Sequence, residues 1–204
     1  MKNILSALLL LSAILLQTQL GWAVTQTYTV SATVPTASSV NMTSSSINAS
    51  NGTRTTVNGT ALSFDPLTFN SANQVWLPDH FFSTDLASVG GGGGTDVTVN
   101  YTEGANPNNP SHGIGWKTTA TFVKVSGTTE TPLSAHGPKK MLKDLNAEHI
   151  TSTELAGGSL RIYTGIVTKD PTASIPDPST SEVFTNADKP GAYDGSLVIT
   201  ATVS

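Results

Sequence analysis

The sequence predicts an all-β protein built as an antiparallel sandwich. Several segments alternate apolar and polar residues at the strand period of two, and stretches rich in Gly, Pro, Asn and Ser separate them. Composition agrees: valine and threonine are frequent, 12% of the 204 residues are charged, and almost no stretch has helical spacing. A chain of this length can bury one sizeable core, so one folded domain is expected.

The opening residues have the pattern of a secretory signal. Lys2 is charged, Ile4 to Leu16 is apolar except for Ser6 and Ser12, and Gly21 and Ala23 are small. The apolar run is shorter than the roughly 20 residues a membrane span requires, so a cleaved signal over 1–23 is expected. The next segment, Val24 to Pro35, reads as a strand with Tyr28, Val30, Ala32 and Val34 on one face and Thr27, Thr29, Ser31 and Thr33 on the other. Thr36 to Thr60 is mostly Ser, Thr, Asn and Gly, so no strong apolar partner follows. Its partner is therefore expected elsewhere, farther along this chain or on another chain.

Val40 and Met42 mark a weak strand, and Ser44 to Thr60 reads as a loop or poorly specified edge. Leu62, Phe64, Leu67 and Phe69 around Asp65-Pro66, then Trp76, Leu77, Phe81, Phe82 and Leu86, are expected to make core contacts. Gly90 to Gly94 is a loop. A phosphate-cradling loop would need a lysine, a hydroxyl and a helix start behind it, whereas Thr95 to Tyr101 reads as a strand. Gly104 to Gly115 is a turn-rich connection, and Trp116 to Val125 reads as a long alternating strand. Ser126 to Thr129 closes that strand, with a short return opening near Leu133. Lys139 to Asn146 is the one helix-like stretch, through Met141, Leu142 and Leu145 behind Pro138. Its Lys139, Lys140 and Lys143 are the densest charge, read as a solvated face rather than an anion site. Leu160 to Val167 is a strand, and Pro171 to Asp188 a surface loop. Gly191 to Ser204 is a final strand with Tyr193, Leu197, Ile199, Ala201 and Val203 on one face.

The chemistry is restricted. No cysteine is present, so thiolate metal sites, redox pairs and cysteine nucleophiles are excluded, and an exported fold must hold without disulfides. A net charge of −4 argues against a nucleic-acid partner. His80, His112, His136 and His149 lie far apart without ligand spacing and read as surface or loop residues. No Gly-x-Ser-x-Gly elbow is present, and the pairs Asp79 with Asp85 and Asp170 with Asp177 have no glycosidase context. No enzymatic activity, catalytic residue, metal or cofactor is expected. Asn41, Asn48, Asn51, Asn58 and Asn100 begin Asn-x-Ser/Thr triplets and are expected at the surface.

Taken together, Val24 to Pro35, Leu62-Ser-Phe-Asp-Pro66 and the ending Pro190 to Ser204 with Gly191 resemble the major pilin subunits of chaperone-usher fimbriae. The specific likeness is to the cysteine-free alpha class of enterotoxigenic colonisation-factor fimbriae. That resemblance implies an incomplete immunoglobulin-like antiparallel sandwich lacking its last strand, completed by a donor strand from another subunit. It divides the chain into a signal peptide (1–23), an N-terminal donor strand (24–36) and a pilin domain (37–204). Tyr28, Val30, Ala32 and Val34 would be the donor residues. Gly191, Tyr193, Leu197, Ile199, Ala201 and Val203 would form the C-terminal strand that meets chaperone and donor. The implied partners are a periplasmic chaperone, an outer-membrane usher, neighbouring copies of the chain and a separate tip adhesin, with export through the periplasm to the cell surface. The glycine run, Gly104 to Gly115 and Pro171 to Asp188 are longer than a compact pilin needs, and room for one domain favours a shaft subunit over a tip. The competing expectation is a carbohydrate- or receptor-binding module using Trp76, Trp116 and the lysines near 140.

Overall fold

The computed structural model describes residues 39–89, 94–107, 112–170 and 172–203. Among them the chain forms twelve strands: β1 (Ser39–Asn48), β2 (Arg54–Thr56), β3 (Thr68–Asn70), β4 (Val75–Leu77), β5 (His80–Val89), β6 (Thr95–Glu103), β7 (Thr118–Ser126), β8 (Thr129–Pro132), β9 (Lys140–Met141), β10 (Glu148–Ile150), β11 (Ser159–Ile166) and β12 (Gly195–Val203). Helix is confined to single turns, and every strand pairing is antiparallel. The larger sheet runs β2-β1-β5-β11-β7-β8, with β9 also pairing with β7. The smaller sheet runs β10-β6-β12, and β3 with β4 makes a separate hairpin.

The two sheets bury one core between them. Leu86, Ala120, Phe122, Leu160 and Ile162 come from the larger sheet, and Val97, Val99 and Ile150 from the smaller one. Register explains the layer: Ile162 lies opposite both Phe122 and Thr84, and Leu160 opposite Leu86, so neighbouring strands present the same face. The outer face of the larger sheet is polar. There the Arg161 guanidinium pairs with both Asp85 oxygens and with Glu130, and the Tyr163 hydroxyl donates to Glu130.

Several stretches differ from the sequence expectation. The Ser44–Thr60 stretch holds half of β1 and all of β2. β1 has few apolar residues, but it pairs with β5 from Ser39↔Val89 to Asn48↔His80, so a committed partner supplies what its own pattern lacks. Trp116 and Lys117 belong to the one-turn helix Ile114–Lys117, and β7 starts at Thr118. Alternation fails along β7 because Thr118 to Val123 is buried on both faces; Val123, for example, sits between Arg161 of β11 and Pro132 of β8.

No α-helix forms at Lys139–Asn146. Met141 enters β9 and Leu142–Asp144 is one 3-10 turn. Met141, Leu142 and Leu145 are all buried, and the Leu145 carbonyl accepts from the Tyr101 N–H of β6 at 2.9 Å. Turning neighbouring apolar residues inward at once favours an irregular path over a surface helix.

Of the expected central apolar mass, Phe82 and Leu86 are buried. Leu62, Phe64, Leu67, Phe69, Trp76 and Leu77 stay half-buried, and the Phe64 ring meets that of Phe82 edge-on at 5.1 Å. Phe69 packs on Trp76 with ring centroids 5.1 Å apart. Asp65-Pro66 is a cis peptide. Of the expected Pro171–Asp188 loop, residues 172–188 are irregular yet anchored: Phe184 and Ser181 are buried, and the Trp76 N–H donates to the Phe184 carbonyl at 2.8 Å.

Candidate functional site

β12 is the strand whose alternation is plainest. Leu197, Ile199, Ala201 and Val203 are half-buried, while Ser196, Val198, Thr200 and Thr202 are exposed. On one side it pairs with β6 along its whole length, from Gly195↔Glu103 to Val203↔Thr95. Among the described residues no strand pairs with its other side.

The edge of the larger sheet is similar. β2 covers β1 only from Ser45 to Ile47, and the Val57 N–H reaches the Ser44 carbonyl, so the edge from Ser39 to Thr43 has no described strand beside it. β1 and β12 adjoin although they belong to opposite sheets. Two edges without a described neighbour thus border one mouth of the sandwich.

Leu197, Ile199 and Ala201, with Val40 of β1, pack against the core without being enclosed by it. Each edge also carries an exposed apolar side chain, Met42 at 44% and Val198 at 50%. An extended segment with apolar residues at every second position matches such a place twice. Its main chain can take the edge N–H and C=O groups that no described strand pairs, and its apolar face can cover the half-buried row.

The start of β12 is set by close packing. A Cβ on Gly195 would stand 2.1 Å from the Tyr101 hydroxyl oxygen, so glycine lets the tyrosine ring pass beneath the strand. That hydroxyl donates to Glu103 Oε1 at 3.0 Å; burial, with the nearby Glu103 charge, pushes the phenol above its ordinary range. Gly191 has φ of +145°, and a Cβ there would meet Pro107 Cγ at 2.6 Å.

Of the residues the sequence singled out, Leu197, Ile199, Ala201 and Val203 share one face of β12. Tyr193 lies before the strand. Its ring meets Phe184 edge-on at 5.0 Å, and its hydroxyl donates to the Lys189 carbonyl at 2.8 Å. Asp194 is the cause, since it exchanges backbone hydrogen bonds with Gly104 and Ala105 and ends the ladder there. Tyr28, Val30, Ala32 and Val34 lie outside the described residues. Val40 joins the β12 row from the weak strand that it forms with Met42, and the spacing of the two is the signal in the sequence.

The other candidates are occupied within the fold. Lys139 pairs with Asp177 at 3.0 Å, Lys140 with Glu148, and Lys143 with Asp144 at 2.6 Å while covering the Trp116 ring at 4.4 Å. The three lysines are therefore partly buried partners of carboxylates rather than a freely solvated face. Trp76 donates its indole N–H to Asn186 at 3.0 Å. His80 contacts Asp79 and the Ser63 carbonyl, and His112 contacts Glu182. His136, expected at the surface, is buried between Glu148 at 2.6 Å and Glu154 at 2.9 Å. His149 is exposed, and none of the five triplet asparagines is buried.

Among the described residues no group of three His, Asp or Glu could hold a metal ion, and no helix is long and apolar enough to cross a membrane. A cavity of about 350 Å³ at the Gly94 end is lined by residues such as Leu86, Val97, Ser152 and Leu160, without a titratable side chain. Comparison of the chain with family models, curated proteins and solved structures gave no match.

Proposed function

We propose that the chain is a structural subunit of a bacterial surface fimbria that polymerises by strand donation between subunits. The observation that carries this reading is the edge of β12 that no described strand pairs, with its half-buried row Leu197, Ile199 and Ala201. Open edges invite pairing with another chain, and a secreted protein that leaves one beside an apolar row needs a partner for it. Tyr28, Val30, Ala32 and Val34 have the matching period of two. The first partner is a periplasmic chaperone strand; the segment 24–36 of the next subunit then replaces it, after delivery to an outer-membrane usher. Burying Tyr28, Val30 and Val34 contributes roughly 1.5–3 kcal/mol each, while Ala32 suits a shallower place. Donor and acceptor are different surfaces, so the contact is head-to-tail and propagates as an open fibre. The fibre supports adhesion at the cell surface, with a separate tip adhesin.

Expression with the cognate chaperone and usher tests the reading. The intact chain is expected to give detergent-resistant ladders, whereas deletion of Val24 to Pro35, or Ala32→Arg, leaves chaperone-bound subunit that does not polymerise. Ladders from the deleted chain, or a plain monomer from the intact one, would sink it.

A further inference from the structure

Lys117 ends the one-turn helix before β7 and is 2% exposed, a rare position for a lysine. Its Nζ lies 2.9 Å from Asp188 Oδ1 and 3.7 Å from Glu182 Oε2. It also donates to the Val183 carbonyl at 3.1 Å and sits 4.9 Å from the centre of the Phe184 ring.

The carboxylates are held in place. The Thr185 N–H donates to Asp188 Oδ2 at 2.7 Å, and His112 Nδ1 stands 2.8 Å from both Glu182 oxygens. The Glu182 N–H donates to the Trp116 carbonyl at 2.9 Å, fixing that segment beside the helical turn. An amine, a carboxyl carbon within reach and a second carboxylate are thus brought together, with the lysine enclosed, Asp188 mostly so and Glu182 partly open to solvent.

We propose that Lys117 and Asp188 become joined by an intramolecular isopeptide bond, with Glu182 carrying the proton. The reaction starts from the ammonium–carboxylate pair. One proton passes from Nζ to Asp188, leaving a neutral amine and a carboxylic acid side by side. The amine lone pair attacks Asp188 Cγ and forms the C–N bond. Glu182 takes a second proton from the nitrogen and gives it to the departing hydroxyl, the C–O bond breaks and water leaves. Ammonium plus carboxylate thereby becomes amide plus water, with no oxidant, reductant or co-reactant. Fixed proximity replaces activation of the acid.

The bond ties the start of β7 to the segment that leads into β12. It gives a chain without cysteine a covalent brace of the kind that disulfides supply elsewhere. It does not depend on the fimbrial reading.

Tryptic digestion of the purified full chain under denaturing conditions, followed by tandem mass spectrometry, tests it. The expected product is a branched species joining the Lys117 and Asp188 peptides, one water lighter than their sum, with no cleavage after Lys117. Glu182→Gln, with its fold checked by circular dichroism, is expected to yield the two peptides unlinked. If the unmodified chain gives only linear peptides cleaved after Lys117, the contact is an ion pair and the proposal falls. A linked Glu182→Gln protein would overturn the role given to Glu182.

Discussion

His136 shows how one residue can gather charge that the sequence scatters. It is buried between Glu148 and Glu154, and Glu148 also receives Lys140. Burial pushes the Glu148 carboxyl up, but hydrogen bonds from Lys140 and His136 outweigh it and hold the group below its ordinary range. Asp177 behaves alike: burial raises it, while the Lys139 hydrogen bond and the Lys169 and Thr168 N–H groups bring it down. A carboxyl lowered on folding stabilises the native state above its unfolded value, and that contribution is lost as pH falls through the folded value. The thermal midpoint is therefore expected to fall on acidification from about pH 5 downward, following the lowered carboxylates. Glu148→Gln is expected to flatten that decline, measured by circular dichroism melts across the acid range. An unchanged slope would show that Glu148 does not couple folding to protonation. Nothing in the spacing of His136, Glu148 and Glu154 announced their meeting, because a 3-10 turn, β9 and β10 must fold before they converge.

Strands differ in how openly the sequence declares them, and burial on one or two faces is the reason. β6, β11 and β12 were legible because each has apolar residues at alternate positions, with β11 buried at Leu160, Ile162, Thr164 and Ile166 and half-buried between them. β7 was legible as a strand, but the alternation the sequence shows there is not matched by burial, since both its faces are covered. β1 was barely visible because its partner β5 does the specifying, and that hid Val40, a member of the candidate site. The β12 half of the site was visible, apart from Tyr193, whose displacement depends on Asp194 binding a distant turn. The limit of β12 itself can be tested. Gly195→Ala would push a methyl group into the Tyr101 ring, which cannot swing aside without loosening the Glu103 contact that also reaches the Gly115 N–H. A loss of about 1–3 kcal/mol is expected in urea unfolding, as for other overpacked sites. Val198→Ser, on the exposed face, is expected to stay within about 0.5 kcal/mol. Equal effects at the two positions would contradict this packing.

For the molecule as a whole, the proposed strand donation would place part of the fold's stability in a segment that covers the mouth between β1 and β12. A ligand that binds the native state alone raises its stability by an amount set by concentration over Kd. A synthetic peptide of Val24 to Pro35 should therefore act as a stabilising ligand for a chain whose own donor is disabled. Ala32→Arg in the full chain supplies that background, because the altered segment would have to bury a charge to compete. With peptide at a hundredfold its Kd, the gain is about 2.7 kcal/mol. For a domain of this size that corresponds to a thermal midpoint higher by roughly 5–10 °C. The same peptide carrying the arginine is expected to give no shift, which separates groove occupancy from nonspecific effects of added peptide. Replacing Leu197 and Ile199 by Ala should reduce the gain, since these side chains form the row that the peptide would cover. If the unaltered peptide leaves the midpoint unchanged at saturation, the β12 edge is not its receptor, and the alternation from Tyr28 to Val34 must serve some other contact.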